Sequence, residues 1–455
     1  MEKDLTKGNP TKIILGFTIP IFIGNLFQQF YNMVDAMIVG KFVGTKALAA
    51  VGETGTIMFL ILGFLMGMTV GFTVLTSQRF GAGDMGGMRK TVVSAAFLSL
   101  VVALLMTAVS LLCMKPLLHL MNTPDDIFDD AYTYIMIICA GIFAQVLYNL
   151  LSCILRAVGN SRTPLFFLIL SAFLNIVLDL LFIVVFKIGV AGAALATVIS
   201  QGASGVLCLV YIIKKVPLLH PEKSDWHPSS HLALIQIGIG LPMALQYSIT
   251  AIGSMMMQSS LNLLGSMAVA AFTTANKIEQ IVTQAYVAIG TTMATYCAQN
   301  TGAGDIPRVR QGFRSATKIG FVYSLAAAAL ITTVGKYMTY LFVSEDVPAV
   351  IHNVDTYLKC VAAFFWPLTI VNVYRNGIQG MGFGFLPMLA GVAELIGRGV
   401  VAKIAARYRS YFGVCMASPA AWILAGTLLL VMYFLIMSHY KKKNNGKEMG
   451  RAVPS

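Results

Sequence analysis

Long apolar stretches separated by short polar segments repeat along the whole chain. Twelve of these stretches reach the roughly 20 residues that an α-helix needs to cross a lipid bilayer. The pattern therefore predicts an all-α membrane protein with twelve transmembrane helices. The predicted helix cores are residues 13–39, 47–77, 91–114, 131–155, 164–186, 190–213, 232–264, 268–297, 316–335, 349–374, 385–405 and 414–438.

The amino-acid composition agrees with this pattern. The chain has 455 residues, of which 57% are hydrophobic and 11% are charged. A soluble domain carries about a quarter charged residues. A water-soluble fold of this length could not hide so much apolar surface, so we expect the lipid bilayer to surround the protein.

The net charge of +13 does not indicate nucleic-acid binding, because the basic residues are not clustered on one face. They lie in short loops and in the tail KKKNNGK, which is the usual signature of membrane topology. We predict a multi-pass protein of the cell inner membrane with both termini in the cytoplasm. Lys403, Arg407 and Arg409 would then lie outside, against the rule. The basic residues of the cytoplasmic loops are Arg79, Arg89, Lys90, Arg156, Arg162, Lys214, Lys215, Lys223, Arg308, Arg310 and Arg314.

Short motifs recur at a nearly constant spacing and reveal an internal repeat. At an offset of 221 residues, GTKALAA at Gly44 matches GSMAVAA at Gly265, and GAGD at Gly81 matches GAGD at Gly302. The segment GNSRTP (159–164) matches GFGFLP (382–387) at an offset of 223. A bias towards small residues could produce one such match but hardly all of them, so the chain consists of two related halves.

The polar segment PLLHPEKSDWHPSSH separates the two halves. We predict an N-terminal six-helix lobe at 1–215, a cytoplasmic linker at 216–230, a C-terminal six-helix lobe at 231–440 and a basic cytoplasmic tail at 441–455. Because six is an even number, both lobes have the same orientation, and we expect a pseudo-twofold axis along the membrane normal. This architecture is typical of transporters that open alternately to the two sides of the membrane.

Polar side chains form a stripe on each of two predicted helices. A central aspartate costs roughly 2.5–3.5 kcal/mol on insertion scales, and such residues usually face the protein interior or water. Hydrogen bonding between helices would explain a single amide, but two aspartates flanked by amides favour one shared functional site. The stripes follow helical periodicity and consist of Asn25, Gln28, Asn32 and Asp35 in the first span, and Ser171, Asn175 and Asp179 in the fifth.

The internal repeat provides a control for the two aspartates. Met256 lies 221 residues after Asp35, and Ala402 lies 223 residues after Asp179. The scaffold is therefore duplicated while the acid pair is not, which favours a function over a packing role. Two carboxylates in a poorly solvated pocket cannot both ionise cheaply, so such a pair can take up and release a proton, or exchange it for sodium.

Other residues within the spans are secondary candidates. Pro20 removes a backbone hydrogen bond from the first span and permits a kink, which either is static or changes when Asp35 binds a proton. Glu279 is a candidate second acid. Glu394 and Arg398 are spaced i, i+4 and are typical of a structural ion pair.

Motifs for enzymatic chemistry are missing from the sequence. There is no GxxxxGK[ST] for ATP binding, and GAGD lacks the lysine and the preceding strand of a phosphate loop, so it indicates a turn. The six histidines form no HExxH pattern. We predict no enzyme activity, no cofactor other than the coupling ion, H⁺ or Na⁺, and no metal site apart from Na⁺ at the acid pair.

The spans, the repeat and the motifs together resemble the multidrug and toxic compound extrusion (MATE) family over essentially the full length. The segments QRFGAGD and QNTGAGD, the turn RAVGNSRTP and the motif NIVLD are the most specific parts. The chain is most similar to the branch related to the DNA-damage-inducible transporters. That branch has its ion site on spans one, five and six, and the resemblance implies this role for Asp35, Asn175, Asp179 and Thr197.

The other branch of the family carries its coupling acids on spans seven and ten. This sequence has no carboxylate in span seven or in the middle of span ten. The family exports organic cations and other amphipathic drugs in exchange for protons or sodium. The resemblance implies a monomeric efflux antiporter of the same kind, with a substrate cavity lined by Gln28, Tyr31, Asn32, Asn149 and Met256.

Two alternatives stay open at this point. A flippase for lipid-linked oligosaccharides shares the wider architecture and would use cationic residues, of which Arg375 and Arg398 are the main candidates. A membrane scaffold or receptor that transports nothing would not need a pair of coupling acids.

Overall fold

Helices make up nearly all of the structure. The computed structural model describes residues 4–121, 123–226, 229–341 and 347–451, and it contains no β-strand within these ranges. Positions 1–3, 122, 227–228, 342–346 and 452–455 of the predicted lobes, linker and tail lie outside the described residues. The helices of the first half are α1 (Pro10–Phe42), α2 (Thr45–Gly81), α3 (Met85–Leu120), α4 (Asp125–Ala140), α5 (Ile142–Ala157), α6 (Arg162–Asp179) and α7 (Val190–Lys215).

The second half repeats this order of elements and adds one short helix before the last. Its helices are α8 (Ser230–Asn262), α9 (Ser266–Gly302), α10 (Ile306–Met338), α11 (Val347–Ala363), α12 (Phe365–Gly380), α13 (Phe385–Arg407), α14 (Tyr411–Cys415) and α15 (Ala417–Arg451). A six-residue π-helix (Leu180–Val185) continues α6, and short 3₁₀-helices lie at Pro217–Leu219, Lys223–Trp226 and Thr339–Leu341.

Each of the twelve predicted spans falls on a helix or on a pair of consecutive helices. Within the described ranges, nine helices are long and apolar enough to cross a membrane, and two bent pairs qualify together. The bent pairs are α4 with α5, at 47°, and α11 with α12, at 52°. The remaining predicted span is α9, whose 37 residues suffice in length but include Lys277, Glu279 and many amide and hydroxyl side chains. Polarity alone therefore separates α9 from the other spans.

The internal repeat is visible in the backbone. Helices α2 and α9 both have 37 residues, and their first residues are 221 positions apart. Each ends at a GAGD motif in which a glycine adopts a left-handed conformation, Gly83 with φ 72° and Gly304 with φ 75°. The aspartate that follows, Asp84 or Asp305, accepts a hydrogen bond from the backbone N–H three residues later and caps the next helix. The motif is thus a turn between helices, as predicted.

The chain divides into two compact units. The first contains residues 1–7 and 16–251, and the second contains residues 8–15 and 252–455. The division falls inside α8, after the predicted linker at 216–230. The first part of α8 belongs to the first unit because Gln236 donates hydrogen bonds to the carbonyl oxygens of Phe72, at 2.9 Å, and Thr91, at 3.0 Å.

Glycines on α2 allow this part of α8 to pack very closely. A β-carbon at Gly67 would lie 2.5 Å from the Cα atom of Ala244, and one at Gly71 would lie 2.3 Å from the Cα atom of Gly240. Such a stripe of small residues is a common way for helix backbones to approach each other in a membrane.

Ion pairs attach the linker to the start of α3. Arg89 Nε lies 2.9 Å from Asp225 Oδ2, and Arg89 Nη2 lies 2.7 Å from Glu222 Oε1. The hydrogen bond from Arg89 lowers the pKa of Asp225 below its ordinary value, and the backbone N–H of Glu222 acts in the same direction. The carboxylate therefore stays ionised at neutral pH, so the ion pair with Arg89 is present there.

Candidate ion-coupling site

Facing polar residues join α6 to α7 in a regular series. Along α6, Phe167, Ser171 and Asn175 recur at intervals of four residues and meet α7 at successive turns. Ser204 Oγ donates to the carbonyl oxygen of Phe167 at 3.1 Å, and Ser171 Oγ donates to the carbonyl oxygen of Ser200 at 2.8 Å. The predicted polar stripe of α6 therefore lies against α7.

Asn175 and Thr197 are the next pair in this series. The side-chain amide of Asn175 lies 3.5 Å from the hydroxyl of Thr197, which is a long hydrogen bond. The Oδ1 atom of Asn175 is buried and has no donor among the described residues. Two of the four residues that were predicted to bind the coupling ion are thus neighbours across two helices.

Asp35 of α1 and Asp179 at the end of α6 form the acidic part of the site. Their side chains are almost completely buried, with 8% of Asp35 and 0% of Asp179 exposed. The two carboxyl groups lie within hydrogen-bonding reach of each other. When neither is protonated both can only accept, and Asp179 Oδ1, Asp179 Oδ2 and Asp35 Oδ1 have no donor in the described part of the chain. One proton between them would provide the missing donor.

Two tyrosines and two glutamines complete the surroundings of the acid pair. The hydroxyl of Tyr31 lies within hydrogen-bonding reach of Gln201 and Gln28, and close to Asp35. The buried ring of Tyr134, on α4, lies near the same carboxylates. Gln201 and Tyr134 were not among the predicted site residues. Gln201 follows Thr197 by four positions and shares its helix face, which is a signal that the sequence contained.

A change of helix geometry occurs immediately after Asp179. Residues Leu180–Val185 form a π-helix, and Ile183 packs in the apolar cluster that also contains Ile38 and Tyr134. Turns of π-helix are rare and are found frequently at functional sites. The irregular turn places Asp179 at the end of the regular hydrogen-bond pattern, next to buried apolar side chains.

The site can hold a proton or a small hard cation. It presents oxygen atoms from two carboxylates, one amide and one hydroxyl, and these are the ligand types that hard cations prefer. Among the described residues, no three histidine, cysteine or acidic side chains cluster as a metal site. The oxygen ligands of this arrangement suit reversible binding of H⁺ or Na⁺.

The predicted substrate-cavity residues are divided between the two units, four in the first and one in the second. Gln28 and Asn32 are exposed on α1, whereas Tyr31 and Asn149 are partly buried. The hydroxyl of Tyr31 interacts electrostatically with both aspartates of the acid pair. Met256 belongs to the second unit, where its methyl group lies against Gly399. A cavity that joins these five residues stays a prediction.

The predicted second acid lies in a separate cluster within the second unit. Glu279 is buried, and Tyr357 donates a hydrogen bond of 2.5 Å to its Oε2 atom. The predicted ion pair is present, with Arg398 Nη2 at 2.8 Å from Glu394 Oε1. Arg375, on α12, makes a second ion pair with Glu394, at 2.7 Å.

Comparisons with known proteins agree with this architecture. A family model described as MatE matches residues 20–181 and 242–403. The probable multidrug resistance protein YpnP of Bacillus subtilis is 34% identical over 388 residues, which cover 85% of this chain and 86% of that protein. The probable multidrug resistance protein NorM of Thermotoga maritima is 23% identical over 384 residues, which cover 83% of this chain and 82% of that protein.

Solved structures show the same fold. A crystal structure of a MATE protein in complex with MaL6 has a TM-score of 0.91 and 25% sequence identity. The similarity covers 96% of this chain and 99% of that chain. The prediction of an all-α membrane protein with twelve spans in two lobes is therefore confirmed.

Proposed function

Because the chain belongs to the MatE family of membrane transporters, we propose that it exports organic cations and amphipathic drugs in exchange for protons. The names of its relatives as multidrug resistance proteins support this class of substrate. The buried pair of Asp35 and Asp179, whose carboxyl groups lie within hydrogen-bonding reach of each other, carries the proposal.

Competition for negative charge explains how such a pair couples two fluxes. Without a proton, the pair holds two negative charges beside apolar side chains and attracts a cation. A bound proton removes one of these charges and weakens the attraction for an organic cation. Proton uptake on one side of the membrane then favours drug release there, and each pH unit of gradient contributes about 1.4 kcal/mol per proton.

Tyr31 provides a polar connection between the acid pair and the exposed part of α1. Its hydroxyl lies near Asp35 and within hydrogen-bonding reach of Gln28, which is exposed. A hydroxyl can donate and accept at once, so it can relay a proton between a carboxylate and an amide or water. The expected role of Tyr31 is therefore to speed protonation of the pair rather than to hold the ion.

Sodium is the second candidate for the coupling ion. Asn175 Oδ1 lacks a donor, and Thr197 supplies a nearby hydroxyl, so the site offers oxygen ligands beyond the two carboxylates. A proton would need only the two carboxyl groups. The same flux measurement separates the two ions.

Efflux of a fluorescent organic cation from proteoliposomes tests the proposal. A pH gradient without sodium and a sodium gradient at equal pH are imposed separately on the wild type and on Asp35→Asn. We expect the pH gradient to drive efflux by the wild type, and we expect at least a tenfold loss in the variant, because one charge of the exchange site is missing.

The matched control is Asp126→Asn, which also removes one carboxylate. Asp126 is exposed and pairs with Lys46 at 3.3 Å, so its loss should leave efflux unchanged. Wild-type efflux by Asp35→Asn would contradict the proposal. Efflux driven by the sodium gradient alone would show that Na⁺, and not H⁺, is the coupling ion. No efflux by the wild type, together with movement of a labelled lipid-linked sugar, would favour the flippase.

A further inference from the structure

The second unit contains a compact charged cluster that proton exchange at Asp35 and Asp179 does not use. Arg375 and Arg398 both form ion pairs with Glu394, at 2.7 and 2.8 Å. Glu279, on α9, lies close enough to Arg398 for an electrostatic interaction and accepts a hydrogen bond from Tyr357. Two arginines and two glutamates therefore meet inside one lobe.

The internal repeat gives this cluster a position equivalent to the acid pair. Arg398 lies 223 residues after Asn175, and Met256 lies 221 residues after Asp35. In the second unit, a β-carbon at Gly253 would lie 3.2 Å from Arg398 Nη1, and Gly399 lies against the methyl group of Met256. The helix that corresponds to α1 thus packs on the helix that corresponds to α6, with an arginine where the first lobe has an asparagine.

The charges of the cluster balance only when Glu279 is ionised. Glu394 compensates one arginine, and Glu279 is the nearby carboxylate that compensates the other. Arg398 is only 7% exposed, and its Nε atom has no acceptor among the described residues. A buried donor without a partner costs about 1–3 kcal/mol, and more for a charged group. The guanidinium therefore has capacity to bind one further anionic oxygen.

We propose that Arg398 binds the carboxylate of amphipathic compounds that carry an acidic group, and that Glu279 is the counter-ion that controls this site. The substrate class rests on the proposed export function, but the binding itself needs no ion gradient. A proton from water that binds to Glu279 removes its charge and leaves one positive charge uncompensated on the arginines. The carboxylate of the ligand then replaces Glu279 as the partner of Arg398.

The groups that face Glu279 define the expected pH response. Tyr357 from α11 and Arg398 from α13 face it directly. Glu394, also on α13, pairs with Arg398 and with Arg375 of α12. On α9, the helix of Glu279 itself, Asn276 lies near Tyr357. From α10, Tyr323 contacts the backbone of α9 at Val282 instead. The neighbouring Lys277 is exposed. Affinity for a carboxylate should therefore rise as the pH falls and Glu279 binds a proton.

Two matched dyes test this site on the purified full-length protein in detergent. One is a zwitterionic rhodamine with a free carboxylate, and the other is its methyl ester, a cation that is otherwise identical. Binding is measured by fluorescence anisotropy between about pH 5.5 and 8.5, where a free carboxylate is ionised. We expect the affinity for the acid relative to the ester to increase about tenfold towards low pH in the wild type.

The Glu279→Gln variant keeps the shape of the side chain but never carries its charge. It should bind the acid with the low-pH affinity at every pH, so the pH dependence of the ratio disappears. Tyr357→Phe removes only the hydrogen bond and should keep a pH dependence with a shifted midpoint. An acid-to-ester ratio that does not change with pH in the wild type would overturn the proposal, even if the variants fail to fold.

The Asp35→Asn variant separates this proposal from proton exchange in the first lobe. It should lose the pH dependence of ester binding and retain the pH dependence of the acid-to-ester ratio. Loss of both in Asp35→Asn would contradict a separate site at Arg398. If gradient-driven efflux fails while the acid-to-ester ratio still changes with pH, the proposed antiport is rejected. The carboxylate site at Arg398 is then still supported.

Discussion

A buried carboxylate in a membrane protein requires a partner, and the two aspartates of the first lobe partner each other. Charged residues without compensation are costly in this environment, so such a pair persists mainly where a cation can replace the missing partner. Asp35 and Asp179 meet this condition because the described residues supply no donor to three of their four oxygens. At the residue scale, the pair therefore has the electrostatic character that an exchangeable H⁺ or Na⁺ site needs.

The sequence predicted these residues because each is polar in an otherwise apolar run. It also predicted that Ser171 and Asn175 share a helix face, and the contacts of α6 with α7 agree. It could not predict that Gln201 approaches Tyr31, because periodicity assigns a residue to a face but does not identify the helix that this face meets. Thr197 followed from the resemblance and not from its own pattern.

Steric fit at single glycines gives a prediction about stability. Gly67→Ala would place a methyl group 2.5 Å from the Cα atom of Ala244, and backbone cannot move as easily as a side chain. We expect a loss of about 1–3 kcal/mol in the free energy of unfolding, as for other overpacked sites. The measurement is the thermal unfolding midpoint of the purified protein in detergent.

Gly55→Ala is the control on the same helix. Apart from its chain neighbours and the backbone of α2 itself, no atom of the described residues lies within 4 Å of the β-carbon that it would add. Alanine is also the better helix former, so this variant should unfold at the same temperature as the wild type or slightly higher. Equal midpoints for the two variants would show that α2 and α8 do not pack as closely as described.

At the scale of elements, hydropathy and length predicted the helices well. The exception in composition is α9, whose polar residues include the buried Glu279 and the hydroxyl and amide groups around it. The breaks between α4 and α5 and between α11 and α12 each lie near a residue that weakens a helix, Gly141 at the first break and Pro367 three residues after Phe364 at the second, but neither break was predicted. The π-helix after Asp179 has no such signal, because it lies in an ordinary apolar segment.

Pro20 lies inside the continuous helix α1, fifteen positions before Asp35. We expect a bend at this proline to change when the acid pair binds a proton, because a missing backbone hydrogen bond lowers the resistance to bending. Spin labels at Lys12 and Met37 would report this bend as a distance. The distance should differ between acidic and alkaline pH in the wild type and should be constant in Pro20→Ala.

The same pair of spin labels on the Asp35→Asn variant tests whether protonation of Asp35 causes the change in the bend. If Asp35 is the group that responds, its replacement should remove the pH dependence while Pro20 stays in place. A wild-type distance that is identical at both pH values would indicate a static kink and would reject a role for Pro20 in coupling.

For the whole molecule, the repeat in the sequence predicted two related lobes, and the helix lengths and glycine turns agree with it. The sequence did not show that the first part of α8 packs with the first unit. That assignment depends on close packing between glycines of α2 and small residues of α8. No motif within either helix alone predicts this packing. The sequence showed that the two lobes differ in their buried charges. It did not show that Arg398 and Glu279 lie close enough to interact electrostatically.

Proton release on drug binding tests the central claim most directly. An organic cation is added to purified protein in weakly buffered, sodium-free solution near neutral pH, and an indicator dye measures the protons released per cation bound. We expect release by the wild type and by Asp126→Asn, and none by Asp35→Asn or Asp179→Asn, because the cation displaces a proton from this pair. Binding without release in the wild type, or undiminished release in Asp35→Asn, would contradict proton exchange at this site.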